Sequence, residues 1–151
     1  MLQEPFIENH LPVYWAILKR PPTAVAAAKT GQVTNSDPDA LVLAILDASI
    51  PINAANVADA RLACVTVSDN ALFVRLGQRY EAFSPRSGTD RVLLAGSGTV
   101  DTVSVEEACD SRSNVTAAFT VRFSIAQFQL RMRVSEQARI EFVARGTFFS
   151  P

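Results

Sequence analysis

A single histidine, His10, occurs in the 151 residues. Any Ser-His-Asp or Cys-His relay would have to take its base from the N-terminal arm, where a lone His reads as a surface residue rather than a catalyst. Cys64 and Cys109 stand far apart in no C-x-x-C arrangement. One His and two separated thiols offer neither a metal-ligand spacing nor a disulfide framework. Among apolar neighbours they read as buried free thiols, with one disulfide as the alternative. Gly96-Ser97-Gly98 begins like a dinucleotide fingerprint, but Asp101 stands where the third Gly belongs and a strand is expected next. Without a helix N-terminus a phosphate has no dipole to sit on. Glu106-Glu107 ends a strand, so its two side chains diverge instead of sharing a proton. Asn114-Val115-Thr116 fits the glycosylation sequon in a chain with no secretory signal in view. We therefore expect no enzyme, no cofactor and no metal.

The chemistry left over is that of charge and apolar contact. Arg122, Arg131, Arg133, Arg139 and Arg145 alternate with apolar residues in the last third, and shared alternate positions predict one broad Arg-rich sheet face. Arg binds phosphate or carboxylate through its planar fork. The lack of interleaved aromatics makes nucleic acid an unexpected partner. Residues 35–60 hold Asp37, Asp39, Asp47 and Asp59 and no Lys or Arg. Solvated faces account for this split most simply; the sharper reading is two complementary surfaces that meet between subunits. The net charge of -1 is not that of a generic binder of nucleic acid or membrane surface. Phe6, Tyr14 and Trp15 in the N-terminal arm are residue types that dominate buried interfaces. The candidate interface residues are thus Phe6, Tyr14, Trp15, Asp37, Asp39, Arg122, Arg131, Arg133 and Arg139.

The elements expected to carry these residues are mostly strands. At 48% apolar content the chain can build a proper core, and it divides into an arm, 1–22, and one β-rich domain, 23–151. Pro12 argues for an extended arm or short strand from Pro12 to Leu18. Thr23 to Lys29 suits a short helix, as does Asn53 to Leu62 behind the capping side chain of Asn53. Leu41 to Leu46 is apolar all round and fits a buried helix or a core strand. Leu62 to Val67 and Leu72 to Leu76 read as a hairpin about Asp69-Asn70, and Gln78 to Phe83, Arg91 to Ala95 and Thr99 to Val105 as further strands. In the last third, Ala117 to Ile125 is apolar at odd positions and Phe128 to Val134 at even ones. The flip predicts a bulge at Ala126-Gln127 in one long strand, which Ala138 to Phe148 rejoins as a hairpin. Phe119, Val121, Phe123, Leu130, Met132, Ile140 and Phe142 are the expected core. The fold class is mainly β (α+β): an antiparallel sandwich or barrel with a long C-terminal hairpin and one to three short helices in the N-terminal third.

No motif carries the chain to a named family. A non-enzymatic structural subunit that self-associates, as a homo-oligomer or within a particle such as a virion's tail or head, is the first expectation. A small barrel holding an apolar ligand and a pilin-like extracellular assembly domain are the alternatives. No secretory signal or membrane-spanning run is visible in Met1 to Leu11 or Ala40 to Ala58, so synthesis in the cytoplasm and no membrane partner are expected.

Overall fold

Pro12 opens a helix instead of interrupting one. It occupies the first turn of α1 (Pro12–Leu18), where its missing N–H has no intrahelical partner to lose and its fixed φ suits the helix. The expected extended arm is corrected accordingly. The computed structural model describes residues 8–20, 37–95, 99–107 and 119–150, and the chain divides into two units, Met1–Val67 and Ser68–Pro151. Phe6, the Thr23 to Lys29 segment and Cys109 lie outside the described residues.

In the first unit α1 buries Val13, Ala16 and Ile17 against α2 (Ala40–Asp47) and α3 (Ala54–Thr66). The arm's helical half is therefore core of its own unit. Within Leu41 to Leu46 the helical alternative holds, and only one side is buried: Val42, Leu43 and Leu46 pack inward while Leu41 is 63% exposed. Asn53 caps α3 by accepting a hydrogen bond from the Asn56 N–H at 2.8 Å. That helix runs through Thr66, so the strand expected from Leu62 is corrected. Ala60, Ala63 and Cys64, three and four apart, give it a buried helical face that the period-2 reading overlooked.

The second unit begins with α4 (Asn70–Arg79), capped by Asp69, whose carboxylate accepts from the Leu72 N–H at 2.8 Å. Leu72, Phe73 and Leu76 form its buried stripe, replacing the expected second hairpin strand. A 3-10 turn, Glu81–Phe83, and α5 (Gly88–Leu94) stand where further strands were expected. β1 (Thr102–Glu107) pairs antiparallel with β2 (Phe119–Ser124), with Val103 opposite Phe123 and Val105 opposite Val121. The bulged strand is also corrected. After a turn at Ala126-Gln127 the chain forms α6 (Phe128–Val134), entered through Gln127 in the left-handed region. The return strand is shortened to a tight hairpin, β3 (Phe142–Ala144) and β4 (Thr147–Phe149), joined through Arg145 and Gly146, both at positive φ as such a turn requires.

Six α-helices and two separate two-stranded sheets make up the described residues, so the sandwich or barrel is overturned. Of the expected core, Phe142 is buried and Phe119, Val121 and Ile140 are half-buried. Phe123, Leu130 and Met132 are exposed. The place expected for these on α6 is taken by Arg131, which is 0% exposed.

Candidate interaction site

Arg131 turns inward because two carboxylates wait for it. Its Nη1 donates to both oxygens of Asp101 at 2.8 and 2.9 Å, and its Nη2 to Asp90 at 3.1 Å. Asp101 also accepts from Arg86 Nε at 3.2 Å and from the Ala126 N–H at 2.9 Å. Asp90, on α5, accepts from Ser135 Oγ at 2.9 Å, while Ser87 caps α5 by accepting the Asp90 N–H at 3.1 Å. Burial alone would raise the Asp90 carboxyl. The hydrogen bonds from Arg131 and Ser135 and the Arg131 charge outweigh it and hold the carboxyl below the usual range. Two arginines thus face two aspartates, and α5, the residue before β1 and α6 are tied together through charge.

With Arg131 inside, helical spacing sets the rest of α6. Phe128 and Met132, four apart, fall on one flank, Leu130 and Val134 on the other, and Gln129 and Arg133 lie outermost. Phe123, at the end of β2, joins them in solvent. These five large apolar side chains are between 37% and 51% exposed. Exposed apolar side chains gathered on and beside one short helix, on either side of the Gln129 and Arg133 ridge, mark a candidate interaction site on a soluble protein.

A groove lies next to this surface. Phe73, Val74 and Gly77 of α4 line one part, Phe83 follows, and Val103, Phe123, Ile125 and Ile140 complete the apolar lining; Asp101, Arg139 and Glu141 lie among its polar residues. Asn70 and Gln78 of α4 set its width: Asn70 Nδ2 donates to the Val103 carbonyl at 3.0 Å and Gln78 Nε2 to the Asp101 carbonyl at 3.1 Å. Asn70 Oδ1 accepts the Val143 N–H at 3.1 Å, fixing β3 to the same helix. Gly77 is unusual here. In a helix interior Gly costs about 1 kcal/mol relative to Ala, yet a Cβ at this position would meet nothing closer than the Phe83 carbonyl at 3.6 Å. Packing does not demand glycine; its missing side chain leaves the groove open. The cavity is about 60 Å³, room for roughly four or five water-sized groups. Known pockets for small molecules run to about 300–1,000 Å³. One protruding side chain fits; a drug-sized ligand does not.

The other expected interface residues are spread apart. Arg122 lies exposed on β2 beside Glu106, 3.3 Å away. Arg133 and Arg139 are exposed and make no ion pair among the described residues, whereas Arg131 is buried, so the arginines do not share one sheet face. Asp37 is exposed, and Asp39 is buried against Arg20. Tyr14 and Trp15 are half-buried on α1. Tyr14 stacks on His10 at 3.9 Å, and Trp15 meets Tyr14 edge-on at 5.4 Å. His10 Nδ1 lies 3.2 Å from Asp59, which also accepts the Leu11 N–H at 2.6 Å. The cluster clamps the start of α1 onto α3. Cys64 is free and buried, and burial pushes its thiol up to about 12. Among the described residues no group of three or more His, Cys, Asp or Glu could hold a metal ion, and no helix is long and apolar enough to cross a membrane.

Sequence reasoning missed the groove and the buried network. Asp90 and Asp101 precede Arg131 by 41 and 30 positions, and nothing local announces so distant a pairing. Gly77, a glycine inside an otherwise capped and patterned helix, was the available signal. Comparison of the chain with family models, with curated proteins and with solved structures gives no match.

Proposed function

We propose that this protein is a non-enzymatic structural subunit that self-associates. The observation that carries the reading is the exposed apolar surface from Phe123 through α6. Phe123, Phe128, Leu130, Met132 and Val134 are solvated while a charged residue of the same helix is buried. Burying five such side chains against a partner would supply about 1.5–3 kcal/mol for each one fully covered.

The test is sedimentation of the full chain and of the Phe128→Asp/Leu130→Asp variant. Both positions are exposed, so the variant keeps its monomer fold, checked by circular dichroism. Loss of the larger species supports the reading. Unchanged assembly in the folded variant contradicts it.

A further inference from the structure

We propose that β2 pairs with β2 of a second copy of this chain, edge to edge and antiparallel, about a two-fold axis at Val121. The proposal rests on the self-association just argued and names its contact. The two edges of the first sheet differ. Along β1 the edge away from β2 is closed by α4: Gln78 Nε2 donates to the Asp101 carbonyl at 3.1 Å and Asn70 Nδ2 to the Val103 carbonyl at 3.0 Å. Along β2 the far edge pairs with no other strand among the described residues. Exposed edges are usually blunted by Pro, Lys or a bulge, and Phe119–Ser124 has none of these. The antiparallel ladder fixes which groups face that edge. Opposite residues alternate between exchanging hydrogen bonds and turning their N–H and C=O away from each other. The Val103 carbonyl goes to Asn70, away from β2, so its opposite number Phe123 also turns outward. By the same alternation Val121 and Phe119 direct N–H and C=O to the open edge.

A second copy is the complement of this edge. With the axis at Val121 every outward residue meets an outward residue: Val121 faces the partner's Val121, and Phe119 faces the partner's Phe123. Each such pair exchanges two hydrogen bonds. On the apolar face, Phe123, 51% exposed, gains an aromatic neighbour directly across the joint. On the other face Arg122 falls opposite the partner's Thr120 and keeps Glu106 of its own chain at 3.3 Å, so no like charges meet. Moving the axis one residue either way would set Arg122 against its own copy or leave Phe123 beyond the end of the partner strand. The joined sheet runs β1-β2-β2-β1 with α4 closing both outer edges, so strand pairing stops at a closed dimer. A six-residue edge alone falls short of the roughly 1,200–2,000 Å² of a stable interface. The exposed apolar side chains of α6, which opens three residues beyond β2 and so at each end of the joint, supply more.

Backbone amide exchange of the full chain, with two variants, tests this. Where most chains are paired, the Phe119, Val121 and Phe123 amides should exchange roughly tenfold more slowly than in dilute protein. The Thr120 and Arg122 amides, bonded to β1 at every concentration, should change less. Val121→Pro removes the central outward N–H and leaves the ladder to β1 whole. The folded variant should stay monomeric where the wild type forms a dimer of twice 16.3 kDa. Thr120→Lys, at an exposed position, sets a second cation against the partner's Arg122. It should weaken association by roughly two- to thirtyfold, since symmetry makes two such pairs, and it decides the matter if Val121→Pro fails to fold by circular dichroism. Wild-type protein that remains monomeric overturns the self-association reading itself. Wild type that assembles with no concentration dependence at the three outward amides overturns only the edge pairing. So does a folded Val121→Pro or a Thr120→Lys that associates as tightly as the wild type, and the contact would then fall to α6 alone.

Discussion

Replacing Arg131 with methionine should do more than destabilise the second unit: it should reverse the unit's response to acid. In the wild type Asp90 and Arg131 are almost completely buried, 3.1 Å apart, and the Asp90 carboxyl is held below its ordinary range. A carboxyl whose folded pKa is depressed contributes stability that is fully present above about pH 4, its unfolded value, and is lost as pH falls through the folded pKa. Wild-type stability should therefore drop below about pH 4. In Arg131→Met the side-chain volume is largely kept, but Asp90 loses its cation while its burial remains. Asp101 keeps Arg86 at 3.2 Å, so the change falls mainly on Asp90. Removing one partner of a buried pair typically costs about 3–5 kcal/mol, a large share of the ~5–15 kcal/mol of a whole domain. The desolvated carboxyl now titrates above pH 4, so the variant is penalised at pH 7 and recovers as acid neutralises Asp90. Urea unfolding at pH 7 and pH 5, followed by circular dichroism, reads both effects. A loss at pH 7 below about 1 kcal/mol, the range of solvent-exposed pairs, would refute the reasoning. So would a variant no more stable at pH 5 than at pH 7.

Three further outcomes follow from single residues. Phe142, buried and stacked on Phe149 at 4.9 Å, should cost about 3–5 kcal/mol on Phe142→Ala in denaturant unfolding; a loss under about 1 kcal/mol would place it at the surface. Asn56 is fully buried on α3 with neither amide atom hydrogen-bonded. Asn56→Leu should raise the stability of the first unit by about 1–3 kcal/mol, and a fall of that size in thermal unfolding would mean that the amide is satisfied after all. Cys64 should resist alkylation at pH 8 in the native protein, because burial pushes its thiol up to about 12, and react only in denaturant. Labelling at the rate of a free thiol peptide would show that the core around α3 opens.

Capping chemistry was legible where it was strictly local. Asn53 and its helix were readable because a side chain three residues from the N–H it accepts needs no other part of the chain. Asp69 is the same kind of cap, but Asp69-Asn70 also suits a tight turn, and Leu62 to Leu76 satisfies both periods at once. Buried Leu72, Phe73 and Leu76 show that the helical one prevails. Pro12 breaks a helix only from its interior, and its place at a helix start makes it harmless. The largest error, a bulged strand through Phe128 to Val134, has one cause. Alternation of apolar residues there was real, but in α6 it yields two exposed flanks about an inward arginine. Arg131 chooses the helix through Asp90 and Asp101, contacts that no window of sequence contains. The candidate site was legible in part. Of the arginines expected at an interface, Arg139 lines the groove and Arg133 lies exposed on α6. The groove itself, assembled from α4, both strands of the first sheet and the segment before β3, had no local signature.

Self-association is the central claim, and the native mass of the unmodified full chain over a wide concentration range tests it most directly. The account predicts species at multiples of 16.3 kDa that grow with concentration. A single species of 16.3 kDa at every concentration, with no partner added, would contradict it.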